Sequence, residues 1–288
     1  VRFKILKHRV NGFVLINKPK NYTSYDVIRI LKKILKVKKI GHTGTLDPFA
    51  EGLLIIGLNK ATKFIQFLLD LPKEYIAKIK FSIETDTLDV DGEIVKLDEN
   101  FKLSEKLLNN AILSFPREYE QIPPKYSAKR VEGERAYELA REGEEFELKP
   151  KLVKIYDLKV LQINEYENTA VVYLKVGSGF YVRSFARDLA SFLNTVAYLI
   201  ELKRIAIGNF KLEDANYLND SEFKLVEIDR ALYFMEKIEI LDCKKFKNGQ
   251  MMLYKYNNGV YRVYCDGDFI GVGKVENNIL KPLKVIVD

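Results

Sequence analysis

The sequence predicts an α+β fold of about two domains, and three observations predict it. Apolar runs and alternating segments of strand length recur along most of the chain. A few stretches between them space their apolar residues by three and four, as helices do. Beyond about residue 238, short β-rich segments alternate with Asn248-Gly249, Asn257-Asn258-Gly259, Asp266-Gly267 and Asn277-Asn278, which are hairpin signals. The 288 residues are 47% hydrophobic, enough for a sizeable core.

The elements follow in order. Gly12–Asn17 is a short apolar run that reads as a buried strand, closed by Lys18-Pro19. Thr23 or Ser24 then caps a helix, with Asp26 in its first turn. Val27, Ile30, Leu31, Ile34 and Leu35 fall on one helical face, and Lys32, Lys33 and Lys36 lie mostly opposite. Leu53–Leu58 has the unbroken apolar character of a central strand. Ala61–Leu69 suggests a short helix. Glu74–Ile83 alternates, with Tyr75, Ala77, Ile79, Phe81 and Ile83 on one face. Thr85–Gly92 is an acidic turn; it fits a calcium loop poorly, because no glutamate is placed to close the ring. Ser104–Phe115 reads as a helix, and Val153–Ile163 and Thr169–Val176 as strands. Gly177-Ser178-Gly179 breaks the chain before a helix over Phe180–Leu193. The tail reads as a small separate β-domain of about fifty residues, near the lower size limit for folding alone.

Composition narrows the chemistry. A formal net charge of +7 favours an anionic partner without choosing among nucleic acid, membrane surface and acidic protein. Cys243 and Cys265 have no metal-ligand spacing, so neither a zinc site nor a disulfide framework is expected, and a reducing cytosol fits. His8 and His42 are the only histidines. No apolar run approaches the roughly 20 residues that span a bilayer, and no signal-peptide stretch is present. There is no P-loop and no dinucleotide fingerprint.

Three segments carry chemistry. Lys39–Pro48 packs His42, two glycines, two threonines and Asp47 into a turn between apolar segments. On local physics alone, Asp47 before Pro48 reads as a helix start. Glu120–Arg130, with paired prolines and then basic and aromatic residues, reads as an extended insertion. It suits RNA, since rings stack on bases while Lys and Arg meet phosphates. Arg183 stands near a helix N-terminus, where the macrodipole disfavours a cation, so it calls for a carboxylate or phosphate partner.

Five fragments in one order resemble the bacterial TruB family of tRNA pseudouridine-55 synthases. They are GFVLINKPKNYTS (12–24), KIGHTGTLDP (39–48), EYIAKIKFSIETDTLDVD (74–91), QIPPKYSAK (121–129) and GFYVRS (179–184). The tail, with Gly259–Val263 and Phe269–Gly273, is similar to the PUA RNA-binding module. The resemblance spans essentially the whole chain. Asn21 stands where members have Gly, and Asn tolerates a left-handed turn. Gly177 and Phe180 also depart from the family pattern. The stretch Pro123–Arg135 looks more like the stand-alone tRNA enzyme than the guide-RNA-dependent branch.

The resemblance implies a mixed, mostly antiparallel central sheet flanked by helices, with a small C-terminal β-barrel-like PUA domain. The implied domains are a catalytic domain over 1–237, with an RNA-binding insertion at about 120–150, and the PUA-like domain over 238–288. It implies isomerisation of uridine to pseudouridine at position 55 in the tRNA T-loop, with base flipping and an accompanying role in tRNA folding. It implies Asp47 as the essential aspartate, Tyr75 as the tyrosine packed on the base, and Arg183 as the partner of the aspartate. His42 is expected beside the flipped nucleotides, Lys18 and Pro19 beside the cleft, and Tyr181 and Leu202 on the pocket lining. No metal and no cofactor is expected. The expected partner is the tRNA T stem-loop, with no membrane and no protein partner, for a monomer in the cytoplasm.

The residues suit that chemistry. A buried carboxylate tends to protonate, and a guanidinium beside it opposes this. The Tyr75 ring can stack, and its hydroxyl can exchange a proton. Asp47 could attack the sugar C1′, add to the uracil ring, or assist loss of the C2′ proton. Two rival readings share the features: an RNA-binding protein without catalysis, and a hydrolase pairing Asp47 with Asp86 or Asp89.

Overall fold

The computed structural model describes residues 2–4, 10–126, 130–131, 134–135 and 148–286. Much of the basic-aromatic insertion therefore lies outside the described residues. The first strands are β1 (Arg2–Lys4), β2 (Gly12–Lys18), β3 (Ile40–His42), β4 (Glu51–Leu58) and β5 (Lys73–Phe81). Then come β6 (Ile83–Thr85), β7 (Ile94–Leu97), β8 (Glu118–Gln121), β9 (Arg130–Val131) and β10 (Glu134–Arg135). These precede β11 (Lys151–Asn164), β12 (Thr169–Val176), β13 (Ala197–Ile207), β14 (Phe210–Lys211) and β15 (Glu222–Val226). The tail adds β16 (Lys237–Glu239), β17 (Met252–Leu253), β18 (Gly259–Cys265), β19 (Asp268–Glu276) and β20 (Ile279–Val285).

One 11-stranded sheet runs β1-β15-β2-β4-β13-β5-β12-β11-β8, with β3 on β4 and β14 on β13. Its pairings are antiparallel except at its centre, where β4 and β13 run parallel through Lys203↔Glu51 and Arg204↔Gly52. Gly52 makes that crossing possible. Its φ is +112°, and a Cβ there would sit 2.3 Å from the Arg204 carbonyl oxygen.

Helices cover the sheet where their apolar stripes direct them. Ser24–Leu35 opens with a capping box: Thr23 Oγ1 accepts from the Asp26 N–H, and the Asp26 carboxylate accepts from the Thr23 N–H. Val27, Leu31 and Leu35 are buried against Ile16, Leu54 and Ile56, while Lys32, Lys33 and Lys36 face water. Glu105–Ser114 and Val182–Phe192 bury Leu108, Ile112, Phe185 and Leu189 in a core shared with β5 and β12. The Ala61–Leu69 stretch is helical over Asn59–Leu68, wound as 3₁₀. The alternating segment stops at Phe81, because Ser82 takes φ +76° and turns the chain into β6.

The tail strands form their own five-stranded sheet, β16-β18-β19-β20-β17, around Ile238, Phe246, Val263 and Leu280. It docks on the main body. Arg262 Nη1 meets Asp229 Oδ1 at 2.9 Å, and the Phe269 and Phe64 ring centroids are 6.1 Å apart.

The expectation of no disulfide is corrected here: Cys243 and Cys265 are bonded, with Cα atoms 5.6 Å apart. Sequence spacing hid this, because a helix start and a strand end meet only after β18 folds back. The bond closes 22 residues, and the chain-entropy argument gives about 3 kcal/mol for a loop of that length. Reduction, or Cys243→Ser, is expected to lower the melting temperature of the tail and spare the main sheet. Identical melting of oxidised and reduced protein would contradict this.

Candidate active site

The segment between β3 and β4 leaves the sheet as a loop and carries Asp47 over the parallel crossing. No helix starts at Asp47; residues 47–50 form a turn closed by Ala50 N–H on the Asp47 carbonyl, 3.1 Å. The helix-start reading of Asp-Pro is thus replaced by a loop held from below.

Four groups hold it. Lys18 is fully buried, and its Nζ donates to the carbonyls of Pro19, Tyr22 and Pro48 at 3.0, 2.6 and 3.3 Å. Burial pushes its pKa down to about 8, and the Asp47 carboxylate pulls the other way. Ser24 Oγ bonds both the carbonyl and the N–H of Leu46, at 3.1 and 2.9 Å. Arg204, 2% exposed, donates from Nε to the Leu53 carbonyl at 2.7 Å and from Nη2 to that of Gly44 at 3.3 Å. Asn21 takes φ +65°, as its left-handed tolerance allows, and its N–H donates to the Pro48 carbonyl at 2.8 Å.

Arg183 answers the puzzle of a cation at a helix start. It is 6% exposed and stands between two carboxylates. Nη2 donates to Asp47 Oδ1 at 3.0 Å, and Nε lies 3.0 Å from Asp47 Oδ2. The second contact is ionic rather than a hydrogen bond, since the Nε–H direction misses the oxygen. Nη1 meets Asp89 Oδ2 at 3.2 Å and the Thr87 carbonyl at 3.0 Å, and Nη2 also donates to the Tyr126 carbonyl at 2.9 Å.

In the sequence Asp89 stood in an acidic turn and as a candidate partner of Asp47 in the hydrolase reading, not as a partner of Arg183. Its carboxylate accepts from Thr87 Oγ1 at 2.7 Å and from the Asp91 N–H at 3.1 Å. Burial pushes its pKa up, against the pull of Thr87 and Arg183.

Asp47, Tyr75, Tyr181, Arg183 and Leu202 line one cleft of about 510 Å³. Asp47 keeps 31% of its side chain exposed there, while Tyr75 is 8% exposed. Lys18, Pro19 and His42 are not on the lining: Lys18 and Pro19 sit beneath the loop, and His42 ends β3. His42 Nδ1 accepts from the Gly44 N–H at 3.2 Å; burial first, and then Arg204, hold the imidazole below its ordinary pKa, so it is neutral at pH 7.

The root of the insertion is fastened to the Arg183 helix. Gln121 grips the Tyr181 backbone from both ends of its amide, at 2.8 and 3.2 Å, and the Ile122 carbonyl accepts from Ser184 Oγ at 2.8 Å.

Two family models match this chain: the TruB family pseudouridylate synthase N-terminal domain over residues 32–182, and the pseudouridine synthase II TruB C-terminal domain over 242–286. The chain belongs to the TruB family. It is 38% identical to the tRNA pseudouridine synthase B of Aquifex aeolicus, over 96% of this chain and 100% of that protein. It is 45% identical to the Ureaplasma urealyticum protein of the same name, over 71% of this chain and 89% of that protein. An H/ACA RNP bound to a substrate RNA containing 2′-deoxyuridine superposes with a TM-score of 0.72 at 20% identity, covering 100% of this chain and 90% of that one, a likeness of fold. The sheet, its helices and the curled C-terminal domain are thus those of a pseudouridine synthase, as the TruB resemblance implied.

Lys18 beneath the loop and Arg204 on the cleft wall both fix the loop of this TruB chain. Lys18→Met leaves three carbonyls without their donor, and a buried unpaired group costs about 1–3 kcal/mol. Turnover is expected to fall about tenfold or more with RNA affinity retained. A variant with normal turnover would show that the loop holds itself.

Proposed function

We propose that this protein isomerises uridine to pseudouridine at position 55 in the T-loop of tRNA. The observation that carries the reading is one solvent-reaching carboxylate, Asp47, held by the buried Arg183 in a cleft lined by the Tyr75 ring. The TruB family membership supplies the reaction class, and the relatives named tRNA pseudouridine synthase B supply the substrate.

The reaction breaks the C1′–N1 bond, turns the uracil and joins C1′ to C5. The C5 proton leaves and N1 gains one, so atoms and charge balance without an external reductant or energy source. Asp47 serves as the essential carboxylate, and Arg183 holds it toward the cleft. Tyr75 stacks against the base and supports proton exchange. The target must leave its stack, at a cost of a few kcal/mol. Tyr181 and Leu202 offer the everted base apolar contact, while His42, Lys18 and Pro19 shape the wall behind the loop.

The basic helix face, the insertion and the tail hold the RNA backbone, and this part of the binding weakens with salt. The enzyme acts as a monomer in the cytoplasm, without a protein partner.

The test is tRNA carrying tritium at uracil C5. Isomerisation releases one tritium per pseudouridine formed. Binding without release makes the protein a passive RNA binder, and free uracil makes it a hydrolase.

A further inference from the structure

Two buried cations of the cleft stand outside any ion pair. Lys73, Arg183 and Arg204 line it and are buried, beside the partly open Asp47 and the exposed Asp70. Arg183 takes Asp47 and the buried Asp89. Lys73 is 8% exposed, lines the cleft, and donates to the Leu69 carbonyl. Arg204 meets the carbonyls of Gly44, Thr45 and Leu53. Among the described residues, no carboxylate oxygen comes within ion-pair distance of either cation. An uncompensated buried charge is costly, so a site that keeps two is built for an arriving anion.

Position names the anion. Lys73 and Tyr75 share one face of β5, and Arg204 is the cross-strand partner of Tyr75. Two residues along a strand span roughly 6.6 Å, the scale that separates a nucleoside's glycosidic carbon from an adjacent backbone phosphate. The rim supplies a further cation. Gly179, at φ +80°, passes so close to Lys151 that a Cβ would lie 2.4 Å from its Nζ. Lys151 is exposed and near enough for its charge to act on Lys73. Asp70 on the rim opposes them, and burial still holds Lys73 down to about 8, so an incoming anion strengthens its charged form.

We propose that Lys73 and Lys151 form a phosphodiester subsite that grips a backbone phosphate flanking the uridine held against Tyr75. This rests on the RNA-isomerising reading above.

The experiment uses the full chain and a T stem-loop RNA with an uncharged methylphosphonate at one or the other linkage flanking the target uridine. One neutral linkage is expected to weaken wild-type binding about tenfold, the scale of one charge-assisted hydrogen bond. Lys73→Met should bind the charged RNA weaker by the same factor and lose less than about twofold more with the neutral linkage. Its salt slope should shrink by about one. Lys151→Ala should show the same masking with a smaller factor, and it decides the matter if Lys73→Met does not fold. Wild-type affinity unaffected by either neutral linkage overturns the subsite. So does a penalty that persists in full in the lysine variants. Pseudouridine formed in the unmodified stem-loop, together with either result, removes the subsite alone. Absence of both product and binding removes the functional reading with it.

Discussion

Replacing Asp47 with asparagine is expected to abolish pseudouridine formation while the protein still folds and still holds tRNA. The substitution keeps shape and one carbonyl oxygen, so Arg183 Nη2, 3.0 Å from Oδ1, retains an acceptor. What disappears is the negative charge, together with any capacity to attack or to take a proton. Removing the central group of a catalytic unit lowers turnover on the order of 10⁴-fold or more. The loop should keep its place, because Lys18, Ser24 and Arg204 hold it through backbone groups on either side of Asp47. Tritium release under single-turnover conditions, with binding measured in parallel, separates the two effects. Turnover within about tenfold of wild type would strip Asp47 of the role.

Arg183→Lys should be nearly as severe for a different reason. Lysine keeps the charge and loses the planar fork. The native guanidinium serves Asp47, Asp89 and the carbonyls of Thr87 and Tyr126 from three nitrogens. One ammonium cannot span those directions. Breaking a buried pair costs about 3–5 kcal/mol, so a rate loss of roughly 10²–10³ is expected along with lower stability. Adding Asp89→Asn removes the orphaned carboxylate and should restore part of the stability without restoring the rate. Near-normal single-turnover rates in Arg183→Lys would argue that charge alone suffices.

The legible part of this site was the part that motifs carry. Asp47, Tyr75 and Arg183 stand out by segment and order, and the unfavourable position of Arg183 announced an anionic partner. The second partner, Asp89, sat in an acidic turn where nothing in the sequence set it apart from Asp86 or pointed it at Arg183. Arg204 was invisible for a sharper reason. It occupies a buried position in β13 on the face of Leu202, where alternation leads one to expect an apolar side chain. Lys73 is masked in the same way, as the first buried position of β5. Local patterns gave β2, β4, β5, β11, β12 and the longer helices to within a few residues, but neither β13 itself nor its parallel meeting with β4. That contact joins segments some 150 residues apart through a glycine whose conformation no neighbour dictates. The Cys243–Cys265 bond escaped likewise, being a property of folded space rather than of spacing.

The fastening of residues 121–126 to the Arg183 helix sets a rule for anyone re-engineering the insertion that follows. Gln121, Ile122 and Tyr126 each touch the first turn of that helix or the residue that caps it. Upstream of Tyr126 those contacts constrain both length and composition. A transplanted arm spliced upstream of it would arrive with its own anchor points and drag the guanidinium out of alignment, so chimaeras cut there should be dead even when they bind.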